Sequence, residues 1–308
     1  MAAATTARSW WQSPTQRREA LEGYLWISPW VIGFLVFTLG PMIGSLYLSL
    51  TTYKIGGTPV WIGFDNYVRA FSGQDKLFWD SLWRTVYFAI ATVVLGTVGS
   101  LLAAILLNQN VRGRNFFRAL FYLPSLTPVV ALAILWQWLL QPQVGFVNYA
   151  LYQFGINGPG WMTSRQWALP SLILISLWAG IGGGRMIIFL AGLQGVPVEL
   201  YESAELDGAS TLQRFFNITL PMISPVILFN VLLGVIGSFS VFALAYVATD
   251  GGPSYATYFY VLHLYYSAFT YFQMGYASAL AWVFFLIIFV LSFIQIKTSD
   301  RWVYYEFS

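Results

Sequence analysis

Residues 85–111 read Thr85-Val-Tyr-Phe-Ala-Ile-Ala-Thr-Val-Val-Leu-Gly-Thr-Val-Gly-Ser-Leu-Leu-Ala-Ala-Ile-Leu-Leu-Asn-Gln-Asn-Val111, 27 positions without a charge. A bilayer core about 30 Å thick needs roughly 20 apolar residues in a helix, so this run is long enough to cross one. Four further stretches are equally free of charge: Gly23–Tyr53, Ala119–Ser164, Phe215–Thr249 and Gly251–Ile296. Only 9% of the 308 residues are charged, against about 25% in soluble domains. Hydrophobic residues make up 58%, and the mean hydropathy is +0.65. The chain is predicted to be an all-α polytopic membrane protein, and a water-soluble enzyme is disfavoured.

Six transmembrane helices are expected near Tyr24–Leu50, Thr85–Leu107, Phe116–Leu140, Trp167–Leu190, Met222–Ala248 and Tyr276–Ile296. Turn chemistry separates them at Gly56-Gly57-Thr58-Pro59, Asn108-Gln109-Asn110, Asn157-Gly158-Pro159-Gly160 and Asp250-Gly251-Gly252-Pro253. The aromatic, nearly charge-free residues 254–273 admit a short periplasmic helix, a re-entrant helix or a seventh span. Lys and Arg decide among span counts. With the N-terminus inside, one side holds nine (Arg8, Arg17, Arg18, Arg112, Arg114, Arg118, Arg214, Lys297 and Arg301) and the other five (Lys54, Arg69, Lys76, Arg84 and Arg165). Cytoplasmic loops carry the excess, so both termini are expected in the cytoplasm and an even number of spans is preferred. The organisation that follows is a cytoplasmic segment over 1–23, a transmembrane domain over 24–296 and a cytoplasmic tail over 297–308. Trp136, Trp138, Trp161 and Trp167 fall where an interfacial aromatic belt is expected.

Several chemistries are disfavoured. The chain has no cysteine, hence no disulfide, thiolate nucleophile or Cys-bound metal. A single histidine, His263, argues against a His-based metal site; without an acidic neighbour in sequence it is expected to be a structural, periplasmic residue. A net charge of +3 makes no nucleic-acid patch. The first apolar segment is too long for a cleavable signal peptide. Lys54, Lys76 and Lys297 are the only lysines and none follows a glycine, so there is no GxxxxGK(S/T) phosphate loop. No cofactor is expected in this chain. Asn217-Ile-Thr219 matches a glycosylation sequon by chance, given its expected cytoplasmic position.

Between the fourth and fifth spans runs Gly195-Val-Pro-Val-Glu-Leu-Tyr-Glu-Ser-Ala-Glu-Leu-Asp-Gly-Ala-Ser-Thr-Leu-Gln-Arg-Phe-Phe-Asn-Ile-Thr-Leu-Pro221. Pro197 suits the start of a helix, and Glu199, Glu202 and Glu205 follow at intervals of three, near its positive end. Gly208 can end that helix in the left-handed conformation. Ser210 and Gln213 then form a capping box for a second helix, interrupted by Pro221. The pattern predicts a helix–turn–helix at the membrane surface, and an ordinary amphipathic connector satisfies it as well.

This segment resembles the EAA loop of the membrane subunits of binding-protein-dependent ABC importers: Glu-Ala-Ala, three residues, Gly, nine residues, Ile, one residue, Leu-Pro. Here Glu202-Ser203-Ala204, Gly208, Ile218 and Leu220-Pro221 stand at those spacings, with Ser203 replacing one alanine. Pro197, Glu199-Leu-Tyr-Glu202 and Asp207-Gly208-Ala209 resemble the carbohydrate-uptake, maltose-type subfamily, as do Phe121-Tyr-Leu-Pro124, Thr249-Asp-Gly-Gly-Pro253 and Trp302-Val-Tyr-Tyr-Glu306. The likeness covers roughly residues 20–306. It implies a multi-pass permease of the bacterial cytoplasmic (inner) membrane, working by alternating access as a heterodimer with a second permease. The other implied partners are two ATPase subunits, which bind ATP and Mg, and an extracytoplasmic solute-binding protein. Glu202, Ala204, Asp207, Gly208 and Pro221 would then form the coupling contact with an ATPase subunit.

The resemblance also places substrate contacts in the middle of the two spans flanking that loop, at Ser176 and Gly180, and at Gly237, Ser238 and Val241. Phe242 or Phe239 can offer a sugar an aromatic face. This chain is smaller and less amide-rich at these positions than the maltose-type pattern. Small residues also let helices approach, and Gly40–Gly44 and Gly180–Gly184 have GxxxG spacing. Arg185, in the inner half of the fourth span, is expected to snorkel to the cytoplasmic interface in preference to a gating or substrate role. The implied substrate is a di- or oligosaccharide, with a polyol or glycerol 3-phosphate as alternatives. Two other classes compete. An enzyme acting on a lipid-linked sugar would need acidic or metal-binding groups near a membrane surface, and the acidic residues here cluster in the EAA segment. A proton-coupled carrier usually has Asp or Glu within its spans, and none is expected here.

Overall fold

In the computed structural model, which describes residues 14–110 and 112–304, the chain is mostly helical. Arg8, Tyr305 and Glu306 lie outside the described residues. Helix α1 (Pro14–Phe34) passes through a π-turn, Leu35–Leu39, into α2 (Gly40–Ser49). A hairpin of two-residue strands follows, β1 (Thr51–Thr52) and β2 (Val60–Trp61), with Thr51 opposite Trp61. It is a small departure from an all-α chain. After α3 (Asp65–Phe71), the Asp75 carboxylate accepts the Leu77 N–H and caps α4 (Lys76–Asn108). This helix is the charge-free run extended backwards by nine residues to include Asp80 and Arg84. At 33 residues it is about 50 Å long.

Helices α5 (Arg114–Tyr122) and α6 (Val129–Leu139) belong to one apolar stretch but are bent by 96°. The third expected span, Phe116–Leu140, is thus broken near its middle. Pro128 stands in the break, where it removes an N–H and follows an extended Thr127 (ψ 124°), while Pro124 opens the tighter turn Leu123–Leu126 that leads into it. Helix α7 (Phe146–Gln153) precedes a second bent pair, α8 (Ala168–Gly180) and α9 (Gly184–Gln194), at 47°. Next come α10 (Val198–Leu206) and α11 (Thr211–Arg214), the latter continuing through a π-turn into α12 (Leu220–Met222). Helix α13 (Ser224–Phe239) leaves that unit at 65°, with Pro221 and Pro225 on either side of the bend. Helices α14 (Ala243–Ala248), α15 (Tyr260–Tyr265) and α16 (Met274–Ser299) complete the chain.

Among the described residues, three helical runs are long and apolar enough to cross a membrane: Arg17–Ser49, Lys76–Asn108 and Met274–Ser299. Counting each bent pair as one span raises the number to as many as six. The fifth expected segment does not run unbroken to Ala248, because the chain leaves the helix at Ser240 and restarts at Ala243. Residues 254–273 form no seventh span. Their helical part, Tyr260–Thr270, reaches about 16 Å, half of what a bilayer requires.

Helix α4 is the hub, touching α8, α9, α13 and α15, while α16 packs on α2 and α13. Its buried side carries Ser81, Thr85, Ala89, Thr92, Gly96, Ser100, Ala103 and Leu107. These are mostly small residues at helical spacing. Lipid tails are as apolar as leucine, so helices gain contact by close approach and not by hiding apolar area. The hydroxyls of Thr85 and Thr92 return hydrogen bonds to the carbonyls of Ser81 and Phe88, at 2.8 and 2.7 Å. The two GxxxG pairs, in contrast, are not the close approaches. A β-carbon at Gly44, Gly180 or Gly184 would meet nothing within 4 Å, and one at Gly40 meets only the Leu35 carbonyl oxygen of its own helix, at 3.2 Å. One at Gly182 would lie 1.8 Å from the Phe121 carbonyl oxygen. The α8–α9 break is thus pressed onto α5 through Gly182.

Candidate functional site

Three of the breaks open on one cavity of about 690 Å³. Thr127 from the α5–α6 break, Gly183 and Gly184 from the α8–α9 break and Ser240, Val241 and Phe242 from the α13–α14 break line it, with α4 and α6 closing the sides. Non-helical backbone at membrane depth must be enclosed by protein or line a cavity, because lipid offers its amides no partner. Ser176, Gly180, Gly237, Ser238, Val241 and Phe242 all line this cavity, from two segments more than fifty residues apart. Phe239 does not; it is buried and faces Phe284 across 6.5 Å.

Sequence reasoning missed the contribution of α4. Its Thr92 lines the same cavity and is hydrogen-bonded to Ser238 at 3.0 Å. Asn230, buried on α13, gives one N–H to the Val226 carbonyl at 3.0 Å, and its amide oxygen has no protein donor among the described residues. Ser125 and Thr127, between α5 and α6, add further hydroxyls, and Phe88 and Phe242 add aromatic surface. The lining suits a ligand with several hydroxyls and an apolar face.

The snorkelling expected of Arg185 is overturned. Its guanidinium points between α4 and α13, where Nη1 lies 3.5 Å from the Thr92 carbonyl oxygen. A β-carbon at Gly96 would fall 2.6 Å from Nη1, and one at Gly234 3.1 Å from Nη2. Two glycines on neighbouring helices thus leave a slot for the side chain, and the bend before α9 turns it inward.

The segment 195–221 forms the two helices its sequence predicts, α10 and α11. Gly208 has φ +77°, and the turn is a Schellman motif: the Ala209 N–H donates to the Ala204 carbonyl at 2.9 Å and the Gly208 N–H to that of Glu205 at 3.0 Å. The capping box is complete, with Ser210 accepting from the Gln213 N–H and the Gln213 side chain accepting from the Ser210 N–H. Arg214 reaches back to Glu205 at 3.0 Å, tying the two helices together. Glu202, Asp207 and Gly208 are exposed, while Ala204 and Pro221 are half-buried. Leu206, 90% exposed, stands with Leu212 and Phe216 as uncovered apolar surface beside those carboxylates. This segment is separate from the cavity. Helix α9 leads from the cavity's edge to the segment and α13 leads back.

A third group of residues went unrecognised. His263 Nε2 lies 2.8 Å from Asp75 Oδ2, and the Tyr276 hydroxyl donates to the same oxygen at 2.5 Å. The Tyr258 hydroxyl lies 3.4 Å from the other ring nitrogen of His263, and Arg69 sits 4.1 Å above the Tyr276 ring. Burial pushes the Asp75 carboxyl up. The hydrogen bonds from His263 and Tyr276, the charge of His263 and the Leu77 N–H outweigh that and hold it well below the usual carboxylate range. The group joins the start of α4 to α15 and α16. His263 is buried against a carboxylate 188 residues away in sequence. Among the described residues, no group of three or more His, Asp or Glu side chains is placed to hold a metal.

Residues 96–302 match the protein family described as binding-protein-dependent transport system inner membrane component. The chain is 43% identical over 299 residues to the probable ABC transporter permease protein YesP of Bacillus subtilis, covering 96% of each. It is 35% identical to the lactose transport system permease protein LacF of Rhizobium radiobacter, covering 95% of this chain and 97% of that one. Its fold superposes with a TM-score of 0.82, at 26% identity, on a chain from the crystal structure of a bacterial ABC transporter involved in the import of the acidic polysaccharide alginate. That match covers 92% of this chain and 96% of the other.

Proposed function

The chain belongs to the binding-protein-dependent transport system inner membrane components, and on that premise we propose that it is one half of a heterodimeric pore carrying a di- or oligosaccharide inward. It is a sugar ABC importer's permease subunit, a transport component and not a catalytic one. In the reading offered here six spans cross the bacterial inner membrane with both termini in the cytoplasm. A solute-binding protein delivers the sugar from outside. The observation that carries the proposal is that six polar, small or aromatic positions from the two helix pairs flanking segment 195–221 line a single cavity.

The mechanism follows from how the parts are joined. ATP and Mg are held by two partner ATPase subunits, and closure of those subunits pushes on α10 and α11. The exposed Leu206, Leu212 and Phe216, rimmed by Glu202 and Asp207, have the apolar centre and polar edge of a protein interface. Motion of this segment reaches the cavity through α9 and α13, whose bends of 47° and 65° are the hinges available. Alternating access then requires only that ATP and sugar favour different settings of those hinges, since a ligand shifts an equilibrium by its difference in affinity for the two states.

Saccharide-stimulated ATP hydrolysis is expected when the chain is co-purified with its partner subunits, and none from the chain alone, which lacks a phosphate loop. Turnover by the isolated, contaminant-free subunit would refute the assignment. The topology has its own test. Reporter fusions at Gly160 and after Ser308 are expected to report outside and inside respectively, and an external C-terminus would rule out six spans.

A further inference from the structure

We propose that Arg185 makes this cavity a path for anionic saccharides, receiving a sugar carboxylate such as that of a uronic acid. The inference rests on the reading of the cavity as the substrate path. Among the side chains lining it, Arg185 alone is charged. No Asp or Glu pairs with it among the described residues. Its one hydrogen bond there, to the Thr92 carbonyl, is 3.5 Å long, at the weak limit of such contacts. A guanidinium has five donors, so most of them are left for something else to satisfy.

The arginine is also held in place. Side chains at Gly96 and Gly234 would occupy its slot, so α4 and α13 are both shaped around the guanidinium. The first turn of α9, an 11-residue helix, opens on the cavity at Gly183 and Gly184, and its positive end adds to the field of Arg185. An intramembrane cation without a counter-ion is expensive, and an anionic ligand removes that expense whenever it occupies the cavity. A carboxylate matches the planar guanidinium fork in shape. It also matches it in charge, whereas a phosphate monoester brings nearly two negative charges to one arginine. Thr92, Ser176, Ser238 and Asn230 remain for sugar hydroxyls, and Phe88 and Phe242 for the apolar ring face.

The test is equilibrium binding to the complete membrane complex, permeases with ATPase subunits but without the binding protein, whose own selectivity would otherwise dominate. The probes are an aldobiouronic acid (a disaccharide with a single uronic acid), lactose and glycerol 3-phosphate. The aldobiouronic acid is expected to bind about tenfold or more tightly than lactose, the scale of one charge-assisted hydrogen bond. Arg185→Gln should erase that preference and Arg185→Lys should keep part of it. Equal or tighter binding of lactose by the unmodified complex overturns the proposal, as does binding of none of the three. Preference for glycerol 3-phosphate overturns the carboxylate in favour of a phosphate. Co-purification with the ATPase subunits shows that each variant assembles; if Arg185→Gln does not, the comparison of the three probes on the unmodified complex still decides. Saccharide-stimulated ATP hydrolysis without any preference for acid sinks this inference alone, whereas absence of an ATPase-containing complex sinks the functional reading beneath it.

Discussion

Replacing Gly208 with valine is expected to abolish coupled transport while leaving the subunit in the membrane. Gly208 stands at the left-handed position of the Schellman turn, φ +77°, between α10 and α11. A β-carbon in that conformation costs about 1–2 kcal/mol, and a β-branched residue costs more. Within the chain, a β-carbon there would meet nothing inside 4 Å. The damage is therefore confined to the turn and to whatever docks on it, and the transmembrane packing is untouched. Glu202→Lys reverses a charge on the same exposed face and should act in the same direction. The measurements are saccharide uptake, ATP hydrolysis and co-purification of the ATPase subunits, each beside wild type. Normal uptake with normal ATPase binding in both variants would reduce segment 195–221 to a connector and remove the main support for the coupling mechanism.

Asp75→Ala is expected to have the largest effect on stability. It leaves His263 and the Tyr276 hydroxyl buried without the carboxylate both contact, and a buried hydrogen-bonding group left without a partner costs about 1–3 kcal/mol. It also removes the cap of α4. Asp75→Asn, which keeps an acceptor oxygen, should be milder. Thermal unfolding of the detergent-solubilised complex measures both, and an unchanged midpoint for Asp75→Ala would show that the group holds nothing together. The sign of the pH dependence follows from the lowered pKa of Asp75. Its contribution is fully present above about pH 4, the ordinary carboxylate range, and is lost as the pH falls through the folded-state value.

The membrane class, the helical content and the two short helices of segment 195–221 were all legible in the chain, for one physical reason. Each depends on residues close together in sequence. An uncharged run long enough for a bilayer, a glycine at a left-handed turn and a serine–glutamine capping box carry their meaning within a few helical turns. The family resemblance pointed to five residues, and the need for an aromatic face pointed to Phe242; all six line one cavity, whereas Phe239, offered on the same ground as Phe242, does not.

What lay beyond reach is what lipid conceals. In water, the buried face of a helix shows as a stripe of apolar residues; in a bilayer both faces are apolar, and hydropathy does not tell them apart. The buried side of α4, and with it Thr92 in the cavity, emerges only when α8, α9 and α13 are set against it. The bends are a related case. Pro124, Pro128 and Pro221 could be seen in the sequence, but whether each kinks a span or breaks it at 96° or 65° depends on what the far half of the helix packs against. Arg185 is the sharpest example. Its length would let it snorkel, and nothing beside it in sequence forbids that. Gly96 and Gly234, from two other helices, open a slot that only the folded molecule contains. The partnership of His263 with Asp75 likewise exists only because the start of α4 meets α15. Sequence by itself determined the solvent this chain lives in and the local shapes it can take there; tertiary structure decided which faces meet, because burial of a charge or a hydroxyl is a property of neighbours that the chain brings from far away.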